Sequence, residues 1–228
     1  MCQQSLAFCQ KIGDTAGIAL SLYLLGIVTW RLGRPTVAQQ QTEQALALYR
    51  QLGDKDRVAY SLFQLAYLVS SQGEYARARL LLEECLALHR QLGNKRGIAH
   101  TLSQLAQVLF ISQGDPARIH LLIEEGLALS QEVGFKEGLA TSLWLQGQLV
   151  LADGDVERAH VLAEQSVLLY REIGHRQGLA QALALLARVT GVQGDDATAR
   201  ALYEESLAAA REIGDKMAIA VCLEGLRD

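Results

Sequence analysis

The chain has 228 residues, enough to bury a sizeable core, and half of them are hydrophobic while only 6% are aromatic. Leu and Ala dominate, and both are strong helix formers, so the composition favours an all-α fold. The net charge of −4 provides no basic surface, which argues against nucleic acid as a direct partner.

Other classes of protein are excluded by what the sequence lacks. Cys2, Cys9, Cys85 and Cys222 form no CxxC pair, so we expect no disulfide framework or zinc site, and a reducing, cytoplasmic setting fits best. The most apolar stretch, 16–30, contains Gly and Ser and is too short to span a bilayer, so no membrane association is predicted. No phosphate-binding loop, nucleophile elbow or zinc-protease motif is present. The protein is therefore predicted not to be an enzyme and to need no cofactor or metal.

Two alternating sets of glycines divide the chain about every 20 residues. The first set recurs at intervals of 40 or 41 residues and comprises Gly13, Gly53, Gly93, Gly134, Gly174 and Gly214. The second set comprises Gly33, Gly73, Gly114, Gly154 and Gly194. Each glycine follows a segment with helical hydrophobic spacing, as a left-handed C-cap does. The sequence thus predicts helix A/helix B pairs at 14–32/35–52, 55–72/75–92, 95–113/116–133, 136–153/156–173 and 176–193/196–213.

Most of these helices begin at a good N-cap residue. Aspartate or asparagine follows the glycine at Asp14, Asp54, Asn94, Asp115, Asp155, Asp195 and Asp215. Phe135 and His175 are weaker at this position, so we expect packing to hold those two turns. The interval from Gly93 to Gly114 has one extra residue, which a π-bulge within 107–112 or a longer turn would absorb; the longer turn is favoured.

The ends of the array are incomplete in this register. Residues 1–12 match only the second half of a B helix, and residues 216–228 match only the first part of an A helix. Neither end shows a polar capping face. We expect one solenoid domain over 1–228, cut from a longer multidomain chain.

The repeat resembles the tetratricopeptide repeat (TPR). The segment from Ala59 to Ala66, the turn Gly73-Glu74-Tyr75 and the small residues Ala78 and Cys85 carry the resemblance. It implies a right-handed α-solenoid of antiparallel helix pairs, about five full pairs with a partial helix at each end. The 40-residue period is similar to that of C-terminal sensor arrays in bacterial STAND ATPases and LuxR-type regulators related to the maltose activator. A sensor or docking module is the implied role.

Two sets of polar residues compete as functional candidates. Carboxylate pairs such as Glu83-Glu84 and Glu204-Glu205 recur in B helices, and we interpret them as a solvated face rather than as acid/base groups. In the TPR fold the A helices line the concave surface, and the corresponding positions here are rich in aromatic and amide side chains. The predicted ligand-binding residues are Tyr23, Trp30, Arg31, Phe63, Tyr67, His100, Gln104, Gln107, Trp144, Gln148 and Arg188.

Aromatic rings beside amides suit an extended peptide or a small polar ligand, and an arginine suits a carboxylate or phosphate. The alternative is that Tyr23, Phe63 and Trp144 only fill the seam between neighbouring A helices. The favoured function is a protein- or peptide-binding sensor of a bacterial signalling regulator. The competing hypothesis is a passive scaffold that self-associates through uncapped ends and its convex face.

Overall fold

A computed structural model describes residues 2–227, and this part of the chain contains twelve α-helices and no strand. The helices are α1 (Cys2–Ile12), α2 (Thr15–Arg31), α3 (Pro35–Leu52), α4 (Lys55–Ser70), α5 (Tyr75–Leu92), α6 (Lys95–Ile111), α7 (Pro116–Glu132), α8 (Lys136–Ala152), α9 (Val156–Ile173), α10 (Arg176–Val192), α11 (Asp196–Ile213) and α12 (Lys216–Gly225). The predicted all-α fold of consecutive helix pairs is confirmed.

The helices form two compact units, with the boundary between Pro116 and Ala117. In unit 1, α2 packs on α3 and α4 packs on α5, while α1 contacts α2 and α6 contacts α5. In unit 2, α8 packs on α9 and α10 on α11, while α12 contacts both α10 and α11. The even-numbered helices from α2 to α12 are the A helices of the sequence register, and the odd-numbered ones are the B helices. A single solenoid domain over 1–228 stays a prediction.

The glycine pattern gives the helix ends correctly except at one turn. Ten of its eleven glycines have a positive φ, as a left-handed C-cap requires, and Gly114 is the exception. At that turn Gln113 has the positive φ, 53°, and Gly114 donates its N–H to the Leu109 carbonyl at 2.8 Å. At the end of α2 the Arg34 N–H donates the equivalent hydrogen bond to the Thr29 carbonyl, so both turns are Schellman caps. Because α6 is α-helical to Ile111, the extra residue lies in a longer turn and not in a π-bulge.

Side-chain caps begin most helices, and one of them corrects an expectation. Asp14, Asp54, Asn94, Asp155 and Asp195 each accept a hydrogen bond from the N–H three residues later. His175 does the same, because its Nδ1 accepts from the Gly178 N–H at 3.0 Å. The expectation that packing alone holds this turn is therefore wrong for His175, whereas Phe135 makes no side-chain cap.

Buried hydrogen bonds from small residues of α5 and α11 tie these two B helices to their own A helices and to the A helices that follow. In α11, Ser206 donates to the Ala180 carbonyl of its own A helix at 2.7 Å and lies 3.0 Å from Cys222 of the following A helix. In α5, Cys85 does the same with the Ala59 carbonyl at 3.3 Å and Thr101 at 3.5 Å. A larger side chain at this position would separate the helices, which explains why it is small throughout the sequence.

A second close contact explains the glycine near the start of most A helices. A Cβ at Gly178 would be 2.2 Å from the Tyr170 ring, and a Cβ at Gly97 would be 2.5 Å from the His89 ring. The missing side chain therefore lets a large B-helix residue lie against the next A helix. Tyr170 is buried and its hydroxyl lies 2.7 Å from the Thr141 hydroxyl.

The outer carboxylates take part in ion pairs between successive B helices. Arg50 pairs with Glu84 at 2.6 Å, and Arg171 pairs with Glu205 at 2.7 Å. All four side chains are exposed, so each pair is worth at most about 1 kcal/mol. These contacts support the interpretation of the glutamate pairs as part of a solvated face. Of the helices in 2–227, none is long and apolar enough to cross a membrane.

Candidate functional site

A cavity of about 200 Å³ lies between α2 and α4 in unit 1. Five of the predicted site residues line it: Tyr23, Trp30 and Arg31 from α2, and Phe63 and Tyr67 from α4. The other lining residues are Ile27, Gln64 and Leu68. We call this the α2–α4 cavity. It exists because A helices repeat every 40 residues, which places the same inner positions of successive helices side by side.

Ring contacts between neighbouring A helices shape its walls. The Trp30 and Tyr67 rings meet edge to face with centroids 5.0 Å apart, a geometry that the ring quadrupoles favour. Phe63 contacts His100 of α6, with centroids 4.2 Å apart. All four side chains are nevertheless only half-buried. They therefore fill the seam between helices, as the alternative interpretation proposed for Phe63, and Trp30, Phe63 and Tyr67 still present ring surface to the cavity.

The charge at the cavity favours an anionic group. Arg31 is exposed, and it makes no ion pair within residues 2–227. No Asp or Glu is among the lining residues. Burial raises the pKa of Tyr23, an effect that the nearby Arg57 opposes, so its phenol stays neutral at physiological pH. The cavity thus combines apolar rings with one accessible guanidinium and a neutral hydroxyl.

Gln64 is the unusual member of the cavity wall. Both atoms of its side-chain amide are sealed from solvent and have no hydrogen-bond partner among residues 2–227. The amide nitrogen lies against α2, since a Cβ at Gly26 would be 3.0 Å from it. A buried polar group without a partner costs about 1–3 kcal/mol. Rotation of this side chain into the cavity would let a bound molecule satisfy the amide.

The other predicted residues lie elsewhere. His100, Gln104 and Gln107 are half-buried on α6 and do not line the cavity, although His100 touches Phe63. In unit 2, the Arg188 guanidinium donates a hydrogen bond to the Gln148 side-chain oxygen, so these two residues bind each other.

Trp144, also in unit 2, offers little surface to a ligand. Its side chain is 7% exposed, and its indole nitrogen is buried without a partner among the described residues. The burial agrees with the seam alternative for this residue.

A second cavity, of about 320 Å³, lies in unit 2 and was not anticipated from the sequence. Its wall includes His160, Glu164, Thr190 and Asp195. His160 Nε2 lies 3.4 Å from Glu164, and Thr190 donates to the Leu186 carbonyl, whereas His160 Nδ1 is buried without a hydrogen-bond partner among the described residues. The four-residue spacing of His160 and Glu164 was a signal that the sequence search missed. Residues 2–227 contain no cluster of three potential metal-ligating side chains.

One protein family matches part of the chain. Residues 18–91 match the tetratricopeptide repeat family. The match covers α2 through most of α5, so the TPR resemblance drawn from Ala59 to Cys85 is supported over the helices that form the α2–α4 cavity. Among curated proteins, none matches the sequence.

Solved structures share the fold at low sequence identity. BtubC from P. vanneervenii is 18% identical over 94% of this chain and 90% of its own, with a TM-score of 0.70. TTC0263, a thermophilic TPR protein of Thermus thermophilus, is 19% identical over 92% of this chain and all of its own, with a TM-score of 0.62. The Rap conjugation gene regulator of plasmid pLS20, solved with the Phr* peptide, is 12% identical with a TM-score of 0.75. That likeness covers 93% of this chain but only 59% of the Rap protein.

Proposed function

We propose that this chain binds a peptide segment of a protein partner at the α2–α4 cavity and acts as the sensor or docking module of a bacterial signalling regulator. The observation that carries the proposal is the aromatic cavity with Arg31 beside it and the unpartnered Gln64 amide in its wall. The TPR match of residues 18–91, and the peptide bound by the Rap regulator of pLS20, support a peptide as the ligand class.

The size of the cavity favours an anchoring side chain over a free small molecule. Pockets for drug-sized ligands usually span about 300–1,000 Å³. The α2–α4 cavity is smaller, about 200 Å³, and the rings that line it are only half-buried, so it suits one large side chain of a longer segment. The rest of the segment would cross the half-buried rings of Phe63 and His100, which extend the same A-helix face onto α6.

The polar groups define the chemistry of the segment. Arg31, which lines the cavity, would bind a carboxylate by a bidentate contact, and Gln64, once rotated, would offer a donor and an acceptor to a peptide bond. We therefore expect a segment with an aromatic or large aliphatic anchor and an acidic group nearby. A small polar ligand would use the same groups with less apolar contact.

Binding across several A helices would also explain a sensor role. In a helix-pair array each pair contacts only its neighbours, so a ligand that bridges two A helices favours one relative rotation of those pairs. The resulting shift in population would be transmitted to whatever effector domain the array serves. The similarity of the 40-residue repeat to sensor arrays of STAND ATPases and LuxR-type regulators supports this role.

The test uses a library of synthetic 12-residue peptides that vary in aromatic and acidic content. Trp144→Phe leaves Trp30 as the only tryptophan, so its fluorescence reports occupancy of the cavity directly. For the peptides that bind, Tyr67→Ala should weaken binding by about 10- to 100-fold, because truncating an aromatic anchor costs roughly 1.5–3 kcal/mol. Arg31→Ala should weaken only the acidic peptides.

Two matched variants serve as controls. Tyr75 begins α5 and Arg79 is exposed on the same B helix, and neither lines the cavity. Tyr75→Ala and Arg79→Ala should leave the dissociation constant unchanged. If no peptide in the library alters Trp30 fluorescence, or if Tyr67→Ala binds as tightly as the parent protein, the cavity is not the binding site.

A further inference from the structure

The cavity in unit 2 has an acidic wall without a cation. It lies among α9, α10 and α11, and its volume of about 320 Å³ is within the range of about 300–1,000 Å³ usual for ligand pockets. Leu186 and Thr190 of its lining are buried, whereas Glu164, Asp195 and Thr198 are exposed, so the acidic groups are accessible to a solute. No Lys or Arg is among the lining residues. Acidic residues also outnumber basic ones over 117–228, which favours cations around the whole unit.

In unit 1 the equivalent place is filled by an arginine side chain. The guanidinium of Arg77 on α5 binds Glu43 of α3 at 2.6 Å and Glu74 at 3.3 Å. Positions are equivalent when they lie equally far from the glycine of the preceding turn. By this register the residues of unit 2 that correspond to the arginine and its two glutamates are Thr198, Glu164 and Asp195. The two carboxylates that an internal arginine joins in unit 1 are therefore present in unit 2 without it.

Thr198 is an exception to the sequence pattern at its position. Arginine stands there in the three preceding B helices, at Arg77, Arg118 and Arg158. Glutamate stands at the position of Glu43 in every B helix from α3 to α11, so the acidic partner is kept where the arginine is lost. The shorter threonine side chain leaves open the space that a guanidinium takes in unit 1.

Polar groups deeper in the cavity offer hydrogen-bond acceptors. Thr190 donates its one hydroxyl hydrogen to the Leu186 carbonyl at 2.8 Å, which leaves its oxygen as an acceptor. His160 Nε2 lies 3.4 Å from Glu164, and this carboxylate favours the ring proton on Nε2. The other ring nitrogen, Nδ1, is then an acceptor, and it is buried without a partner among the described residues.

The carboxylate at the start of α11 is charged. Hydrogen bonds from the Thr198 side chain and from its backbone N–H lower the pKa of Asp195, so this group is ionised at neutral pH. Together with Glu164 it gives the cavity two carboxylates beside neutral acceptors. A guanidinium matches such a wall, because it carries a positive charge, five N–H donors and no acceptor.

We propose that the unit 2 cavity binds an alkylguanidinium group supplied from outside the chain, in the place that corresponds to that of Arg77 in unit 1. The planar fork of the guanidinium joins Glu164 and Asp195, and its alkyl part lies on Leu202, which also lines the cavity. The group belongs either to an arginine of a partner protein or to a free small molecule. The proposal concerns unit 2 alone and does not depend on the function proposed for the α2–α4 cavity.

The experiment titrates three probes into the intact chain and follows the backbone amide signals of Thr190 and Thr198 by NMR. The probes are N-acetyl-arginine amide, its neutral isostere N-acetyl-citrulline amide, and a capped pentapeptide with one central arginine among alanines. We expect the arginine probe to bind with a dissociation constant of about 1 mM, in keeping with partly exposed ion pairs. Citrulline should bind at least about tenfold more weakly, because it lacks the charge. Equal binding of the two isosteres overturns the proposal.

The pentapeptide distinguishes the two sources of the guanidinium. Binding that is about tenfold tighter than that of the single capped arginine supports an arginine of a partner protein, since the flanking peptide then adds contacts. Equal affinity supports a free small molecule that carries the same group. Both results require that the arginine probes bind.

Three variants test the cavity itself. Thr198→Arg supplies the guanidinium from within the chain and should weaken binding of the arginine probe at least about tenfold, and Glu164→Gln should do the same. The chain already accommodates arginine at the equivalent position of three B helices, so Thr198→Arg is expected to keep the fold. Glu204→Gln is the matched control, because Glu204 holds the register position of Glu164 on α11 and does not line the cavity. Unchanged binding in Thr198→Arg or Glu164→Gln overturns the proposal, as does an equal loss in Glu204→Gln.

The converse variant creates the site in unit 1. Arg77→Thr leaves Glu43 and Glu74 without their cation, and the arginine probe should then shift amide signals of α3 and α5 that it does not shift in the parent chain. No gain of binding would refute the equivalence of the two places on which the proposal rests. Circular dichroism checks that each variant keeps its helices.

Discussion

Replacing Gln64 with leucine tests whether the α2–α4 cavity stores an unsatisfied polar group. Its amide has neither solvent nor a partner within residues 2–227, and the same register position holds Leu145 in α8 and Leu185 in α10, both almost fully buried. Leucine at position 64 would therefore reproduce a side chain that the array already accommodates. If the amide is unsatisfied, Gln64→Leu should make the protein more stable.

The expected gain follows from the cost of the buried amide. A buried polar group without a hydrogen bond costs about 1–3 kcal/mol, and replacing it by an apolar group of similar size removes that cost. The change in side-chain shape offsets at most about 1 kcal/mol. The net increase in the free energy of unfolding is therefore about 0–3 kcal/mol, with a central value of about 1–2 kcal/mol. Urea denaturation followed by circular dichroism measures it as a higher midpoint with an unchanged slope.

Gln104 provides the control, because it occupies the same register position on α6, is half-buried, and has no amide atom that is sealed and unpartnered. Gln104→Leu should change stability by no more than about 0.5 kcal/mol. A loss of stability in Gln64→Leu would refute the reasoning, since it would mean that buried water or a neighbour satisfies the amide. If the proposed function is also correct, Gln64→Leu binds peptides more weakly while it unfolds at higher urea, a trade between stability and binding.

Three further changes test the packing. Gly178→Ala should destabilise the protein by about 1–2 kcal/mol, because its Cβ would meet the buried Tyr170 ring. Gly191→Ala in the same helix has room for the Cβ and should stabilise the protein by up to about 1 kcal/mol. Equal effects of the two variants in urea denaturation would contradict this explanation. Burial lowers the pKa of His89 below its ordinary value of 6.5, so the imidazole is protonated at a higher pH in the unfolded chain than in the folded protein. The free energy of unfolding should therefore fall as the pH drops below about 6.5, by at most about 1.4 kcal/mol per pH unit. His89→Tyr should flatten that part of the stability profile. Gln113→Gly should raise the thermal midpoint, since a left-handed glutamine costs about 1 kcal/mol, and an unchanged midpoint would argue against strain at this turn.

The sequence predicted the helices closely because glycine has a direct backbone consequence. Each helix pair begins within one residue and ends within two residues of its predicted bounds. The misplaced cap at Gly114 shows the limit of the pattern: one extra residue moved the left-handed position to Gln113, and spacing alone cannot say which residue of a longer turn takes it. His175 capped its helix through a ring nitrogen, which residue preferences for N-caps undervalue.

The site was predicted less completely, since burial depends on neighbours that a repeat register does not specify. Tyr23, Trp30 and Tyr67 were placed together correctly by register. Trp144 was expected on the ligand-binding face of the A helices but is buried. Arg188 and Gln148 were expected to bind a ligand, but they form a hydrogen bond with each other. Those outcomes depend on the side chains that surround each position. Whether the predicted residues bind a ligand stays a prediction that the variants above can decide.

The reactivity of the buried thiols of Cys85 and Cys222 reports local opening of the helix pairs around them. Burial raises the pKa of the Cys85 thiol to about 11 and also raises that of Cys222, so neither forms much of the reactive thiolate while its helix pair is closed. An alkylating reagent would modify Cys85 only when unit 1 opens, and Cys222 only when unit 2 opens. With Cys2 and Cys9 replaced by serine, the alkylation rates of Cys85 and Cys222 would report the local opening of unit 1 and unit 2 separately. A peptide that binds in the α2–α4 cavity should slow the alkylation of Cys85 and leave that of Cys222 unchanged.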